Sequence, residues 1–431
     1  MSKEKRIIQV EEKVPLLQGI PLSIQHTFAM FSASVLVPWL FGINAAIVLL
    51  MNGIGTLIFI AVTKGKAPAY LGSSFAFLSP TFILLANPNY GYQYALGGFV
   101  VTGLIFSAVA ILIKFVGTDW IDIVLPPAAM GPIVALIGLE LAGTAASNGG
   151  LILSETYTAI NPKFVIVFIF TLLMAVVGQV IFKGFASAIA ILIAIISGYV
   201  LSVFMGLVDF TPVAESKIVA MPNFMFPKFS LEAILIIIPA SLTVISEHIG
   251  HQVVTSQIVG RDLLKDPGLH RSLLSDGIST TLSGFCGSVP TTTYGENIGV
   301  MAVTKVYSVW VIGGAAVFSI ILAFFAPASA LINSIPGPVM GGISFLLYGM
   351  IGASGLRLIV DRKVNYGKAR NLALSAIVFV TGLSGAFIQI GNVQLTGMCL
   401  ATIVGMLLGV AFYVLDKLGI TNDREEPDSL E

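Results

Sequence analysis

Three glutamates, Glu140, Glu247 and Glu296, stand inside stretches that are otherwise apolar. A carboxylate at membrane depth costs roughly 2.5–3.5 kcal/mol on insertion scales, so it persists where it faces a cavity or a partner. Glu247 occurs in Ser246-Glu247-His248-Ile249-Gly250-His251. On a helix, Glu247 and His251 are four apart and share a face. A carboxylate beside an imidazole can share or pass a proton: low dielectric favours the neutral acid, and a nearby imidazolium favours the carboxylate. A group balanced between these effects can load a proton on one side of a membrane and release it on the other. His248 points away from that face and His270 belongs to a charged loop, so neither is given a role.

Glu296 occurs in Thr292-Thr293-Tyr294-Gly295-Glu296-Asn297-Ile298-Gly299, which is too polar and glycine-rich for a helix facing lipid. Irregular backbone at that depth is tolerated only where it is buried in protein or lines a cavity. Its freed N–H and C=O groups are then open to a polar solute, and Ser73-Ser74-Phe75 offers the same. A flat heteroaromatic solute with alternating N–H and C=O suits this inventory. Carboxylates accept from ring N–H groups, backbone N–H groups donate to ring carbonyls, and Phe75, Tyr294 or Tyr348 can cover the ring face. Glu140, near the outer end of its span, reads as an interfacial or packing residue, and Asp276, near Arg271, as half of a salt link. Cys286 and Cys399 lie far apart in apolar stretches and read as small packing residues. Glu247-His248-x-x-His251 differs from the zinc motif H-E-x-x-H, in which the histidines are four apart. No metal or cofactor is expected, and the chain is not read as an enzyme.

These residues need a scaffold. The chain of 431 residues is 56% hydrophobic and 10% charged, against about 25% charged in soluble domains. So few charges cannot cover a water-exposed surface, which implies an all-α polytopic membrane protein. The formal net charge is zero, so nothing points to nucleic acid. The charged N-terminus has no apolar stretch followed by a cleavage site, and no cleaved signal is expected. A span needs about 20 apolar residues. Runs occur at 20–42, 43–63, 95–115, 120–142, 164–182, 184–207, 231–256, 308–330, 340–360, 371–390 and 395–415, with weaker, polar ones at 70–87, 272–289 and 291–304. Together they predict about 14 transmembrane segments. With both termini inside, only Lys163, Lys217 and Lys228 of the 22 basic residues fall outside, which is the bias that lysine and arginine show for cytoplasmic loops. The acidic tail from Asn422 is expected to be a solvated, disordered end.

The halves are alike. Pro126-x-x-x-Met130-Gly131 returns as Pro336-x-x-x-Met340-Gly341, and Tyr70-Leu-Gly72-Ser-Ser-Phe75 as Tyr294-Gly295-Glu296-Asn297. His26, preceded by Gln25, is echoed by the Glu247–His251 string, which sets His26 opposite Glu247 and makes it a site-lining residue. Seven segments per half is odd, so the second half is inverted. Inverted repeats with glycine-interrupted segments in matching places mark the midplane site of a secondary transporter. A proton-titratable carboxylate in that setting favours alternating access over a channel.

Glu296-Asn297-x-Gly299-x-x-x-x-Thr304-Lys305 resembles the signature of the nucleobase/ascorbate transporter family, and Gln25-His26 is similar to its first-span motif. The strings at 70–77, 246–251 and 292–308 resemble those of the family's uracil-carrying bacterial members, and Glu296 stands where purine-carrying relatives have glutamine. The resemblance implies uracil imported with protons, with xanthine or thymine as the alternative cargo. It implies two inverted repeats of seven segments, with short β-strands in segments 3 and 10. It further implies an N-terminal cytoplasmic segment (1–18), a core domain (19–117 and 230–333), a gate domain (118–229 and 334–418) and a cytoplasmic tail (419–431). Glu247 and Glu296 would bind the ring nitrogens, and the backbone at Phe75 and Gly295 the oxygens. Ser74, Tyr294, Tyr348 and His26 would line the pocket, and His251 would support Glu247 in proton coupling. A homodimer through the gate domains, in the cytoplasmic membrane, is implied as well.

Overall fold

In hydrocarbon every backbone N–H and C=O must be satisfied within the protein, so apolar runs become helices. In the computed structural model, which describes residues 7–153, 159–390 and 393–421, the first half contains α1 (Leu16–Phe41), α2 (Ala45–Val62), β1 (Leu71–Ser73), a 3-10 turn (Phe75–Phe77) leading into α3 (Leu78–Ala86), α4 (Tyr92–Val116), α5 (Pro127–Leu139), α6 (Pro162–Ile181) and α7 (Ala190–Phe204). The second half contains α8 (Leu231–Val259), α9 (Leu269–Cys286), β2 (Thr291–Thr293), α10 (Gly295–Thr304), α11 (Val309–Phe324), α12 (Gly337–Asp361), α13 (Ala369–Leu383) and α14 (Gly397–Lys417). Among the described residues, eight helical stretches are long and apolar enough to cross a membrane. The acidic tail from Asn422, and Lys3, Lys5 and Arg6, lie outside the described residues.

Several expected runs are broken. The run 120–142 is a short helix (Asp119–Val124), α5 beginning after Pro126, and a further turn at Ala142–Asn148. Proline lacks the N–H that would continue the first of these. The run 308–330 divides into α11 and Ala326–Asn333. The run 371–390 ends as helix at Leu383, and Phe387–Ile390 is instead a strand, β3, paired antiparallel with β4 (Val393–Thr396). Gly385, at φ +72°, occupies a backbone region that a helix cannot use.

Two sets of helices pack chiefly among themselves. In one, α9 lies against α4 and α2, α11 against α1 and α2, and α8 against α4. In the other, α12 lies against α5 and α6, α7 against α6, and α13 against α5 and α14. The α4–α9 crossing is close because Gly103 and Gly277 face each other there. A Cβ on Gly103 would lie 2.5 Å from the Thr281 nitrogen, and one on Gly277 2.8 Å from the Gly103 oxygen. Small residues let membrane helices approach backbone to backbone.

β1 and β2, 220 residues apart in the chain, pair antiparallel in the register Leu71↔Thr293, Gly72↔Thr292, Ser73↔Thr291. Both strands are buried throughout. The pairing satisfies the backbone of two segments too polar and glycine-rich to be helical at that depth. Gly72 is needed because the Tyr294 ring covers it: a Cβ there would sit 2.2 Å from that ring.

Residues 7–14 dock beside α10 and α11. Ile8 bridges Val306 in parallel, the amides of Tyr307 and Val309 donate to Ile8 and Val10 (both 2.9 Å), and Val10 is buried. Arg261, just after α8, reaches Glu11 at 2.5 Å, and that guanidinium holds the Glu11 carboxyl below the usual range.

Candidate functional site

The site forms where α8 meets the paired strands. Helical spacing puts Glu247 and His251 on one face of α8, and both are partly exposed. His251 Nδ1 is 3.1 Å from Thr293 Oγ1 at the end of β2. Gly295, which opens α10, lies against the same imidazole, since a Cβ there would be 3.3 Å from His251 Nε2. Glu296 follows at once, so the β2–α10 junction brings it beside the face of α8 that carries Glu247 and His251. Two carboxylates from segments 49 residues apart in the chain thus share one region with an imidazole.

Glu296 also lines a cavity of about 250 Å³ that separates the two helix sets. Phe28 and Val303 belong to the wall on its side, and Gln179, Leu192 and Met350 to the wall on the other. Of the sequence-predicted residues, only Glu296 lines this cavity.

The remaining predicted residues fall around it. Ser74 caps the 3-10 turn, its amide donating to the Pro290 oxygen at 2.9 Å, and Phe75 packs where three apolar clusters meet. Tyr294 is buried and its hydroxyl donates to the Ser73 oxygen at 2.9 Å, so its ring acts as a lid on Gly72. Tyr348 is buried on α12. His26 is buried and pairs through Nδ1 with Asn297 Oδ1 at 2.7 Å, which ties α1 to the residue after Glu296. The Ser74 and Ser246 hydroxyls and the Asn297 amide nitrogen are buried with no hydrogen-bond partner. Such groups are costly to leave unsatisfied, and Ser74 and Asn297 directly follow β1 and Glu296 in the chain, where a polar solute could satisfy them.

Sequence reasoning missed a cluster behind the site. His248, on the opposite face of α8, is fully buried with both ring nitrogens engaged: Nδ1 with Asp276 Oδ2 at 2.8 Å and Nε2 with Ser272 Oγ at 2.9 Å. Asp276 therefore pairs with His248, and the expected link to Arg271 is not formed. The signal was the run of polar residues along α9, which has no use on a lipid-facing helix. Asn297 and Thr293, the partners of His26 and His251, carried no role in the sequence reading because neither ionises. Glu140 is also engaged: its Oε1 accepts from Ser79 Oγ and its Oε2 from the Met398 amide, each at 2.9 Å.

The fold is shared with solved membrane proteins. The transmembrane domain of a cyanobacterial bicarbonate transporter, BicA, superposes with a TM-score of 0.61 at 13% identity, over 96% of this chain and 100% of that one. SLC26A9 superposes with a TM-score of 0.68 at 12% identity, over 95% of this chain and 66% of that one. Helices enough to cross a membrane many times, around two half-length segments that meet as strands, define a polytopic membrane protein. The model of the Permease family matches residues 17–391, and the chain belongs to that family. Among curated proteins it is 55% identical to a uracil permease of Paenibacillus larvae, over 97% of this chain and 99% of the relative. It is 54% identical to one of Escherichia coli K12 (98% and 99%) and 43% identical to one of Bacillus subtilis (95% and 96%).

Proposed function

We propose that this chain imports uracil together with protons by alternating access. The observation that carries this reading is the meeting of His251, one helical turn from Glu247 on α8, with the β2–α10 junction that bears Glu296. The names of the curated relatives support the choice of cargo. Each carboxylate accepts from a ring N–H. The backbone N–H groups at Phe75 and Gly295, left without intrahelical partners at the starts of the turn and of α10, donate to the ring carbonyls. Glu247 takes a proton at the outer face, with His251 held by Thr293 as its partner.

The set built on α1–α4 and α8–α11 is the moving core, and the set built on α5–α7 and α12–α14 is the gate. The chain makes fourteen crossings of the cytoplasmic membrane, counting β1–α3 and β2–α10 as one each, with both termini inside. It works as a homodimer through the gate. On that orientation the Glu296 cavity, flanked by Val303 and Ser187, opens to the cytoplasm. Uracil and the proton leave by that route.

The test is uptake of labelled uracil by reconstituted vesicles, with and without an inward proton gradient, challenged by unlabelled bases. Accumulation above equilibrium that a protonophore abolishes, with competition strongest from uracil, is expected. Passive equilibration insensitive to the gradient, or stronger competition by xanthine, would overturn the reading.

A further inference from the structure

Glu140 has no part in the mechanism above, yet both oxygens of its carboxylate are engaged. It projects from the end of α5 and spans the two helix sets. Oε1 accepts from Ser79 in α3, and Oε2 from the Met398 amide in the first turn of α14. Ser79 is buried. The chain makes room for the carboxylate: Gly397 has φ +57°, and a Cβ there would fall 1.9 Å from Oε1. Ser79 stands four residues beyond Phe75 on the same continuous segment. The bond therefore fixes the outer half of a segment whose inner end belongs to the site.

At the other end of the molecule, the same two sets are parted by the cavity that Glu296 lines. One end is tied and the other is parted. We propose that Glu140 is a positioning residue that holds the Phe75–Ala86 segment shut against the gate on the outer side, and that Ser79 must be released before the site can open outward. This rests on the alternating-access reading. Losing the Ser79 bond leaves the Glu140–Met398 link inside the gate intact and removes one of the side-chain bonds between the sets, beside those of Trp39 with Ile335 and Cys399 with Ile236.

The experiment compares wild type with Ser79→Ala and Glu140→Gln in right-side-out vesicles. The apparent affinity of a carrier is reduced by the fraction in the competent state, so freeing the outward state tightens external binding. Ser79→Ala is expected to lower the external dissociation constant for uracil about tenfold, the scale of one hydrogen bond to a charged group, with Glu140→Gln moving the same way. A merely structural contact would weaken binding or leave it unchanged, so either result in folded protein overturns the proposal. Amide hydrogen exchange supplies a readout that needs no uracil. Exchange across Leu78–Ala86 is expected to rise by about tenfold in Ser79→Ala, and unchanged exchange overturns the proposal too. If the wild type binds no uracil, the functional reading fails, and the exchange result alone decides the contact.

Discussion

At the scale of single residues, the acidic groups separate by their surroundings. Glu296 faces a cavity, Glu247 shares a helix face with His251, and Asp276 pairs with a buried histidine. Glu296→Ala is expected to weaken uracil binding by roughly 10- to 100-fold, the loss of one or two hydrogen bonds to a charged acceptor; calorimetry showing wild-type affinity would remove Glu296 from the site. Glu247→Gln keeps the shape of the side chain and removes the titratable group. It should abolish gradient-driven accumulation while uracil exchange across the vesicle persists, and wild-type accumulation would end the proton-coupling assignment. Asp276 belongs to stability. Breaking a fully buried pair strands the remaining partner, so Asp276→Ala should lower stability by about 3 kcal/mol, measured by denaturation in detergent. Asp276→Asn should cost less, because an amide can still hydrogen-bond His248 Nδ1, by its oxygen or its NH2.

Elements show how far the sequence could be read. The long helices followed from apolar runs, and the two half-segments from their excess of glycine and hydroxyl residues, since polarity at membrane depth demands burial. What escaped reading depended on partners distant in the chain. The β3–β4 hairpin looked like the end of an apolar span because Phe387 and Ile388 are as apolar as the helix before them. His248 was visible as a residue off the Glu247 face, but its partner 28 positions on was not. The docking of residues 7–14 needed the strand-like stretch at Val306, which has no counterpart nearby. That docking rests on Val10 more than on charge. The Glu11–Arg261 pair is largely exposed, and such pairs contribute about 0–1 kcal/mol. Because the folded pKa of Glu11 is depressed, the contribution is present above the ordinary glutamate range and fades as pH falls through the lowered value, so it is constant near neutrality. Tryptic cleavage at Lys13 should quicken no more than about fivefold in Arg261→Ala, but at least about tenfold in Val10→Asp, which would bury an unpaired charge.

For the whole molecule, the decisive question is whether the half-length segments count as crossings. α10 has ten residues, and a helix rises about 1.5 Å per residue, so it covers about half of a hydrocarbon core about 30 Å thick. β2 and the residues before it must supply the rest. If β2 and α10 together make one crossing, then five lie between Lys217 and Lys363: α8, α9, β2–α10, α11 and α12. An odd number places the two lysines on opposite sides. If β2–α10 were instead a loop that enters and leaves by one face, the number would be even and both would face the same compartment. Both positions are exposed. Single cysteines at each, in a chain with Cys286 and Cys399 replaced by serine, should react with an impermeant maleimide from opposite faces of the membrane, Lys217→Cys from outside and Lys363→Cys from inside. Labelling of both from one face would remove the crossing, and with it the proposed inverted symmetry and the proposed placing of Glu296 near the midplane. The paired strands argue for the first outcome. Antiparallel pairing of β1 with β2 sends their chains in opposite directions through the same depth, so α3 and α10 depart toward opposite faces, as two half-crossings of opposite sense require.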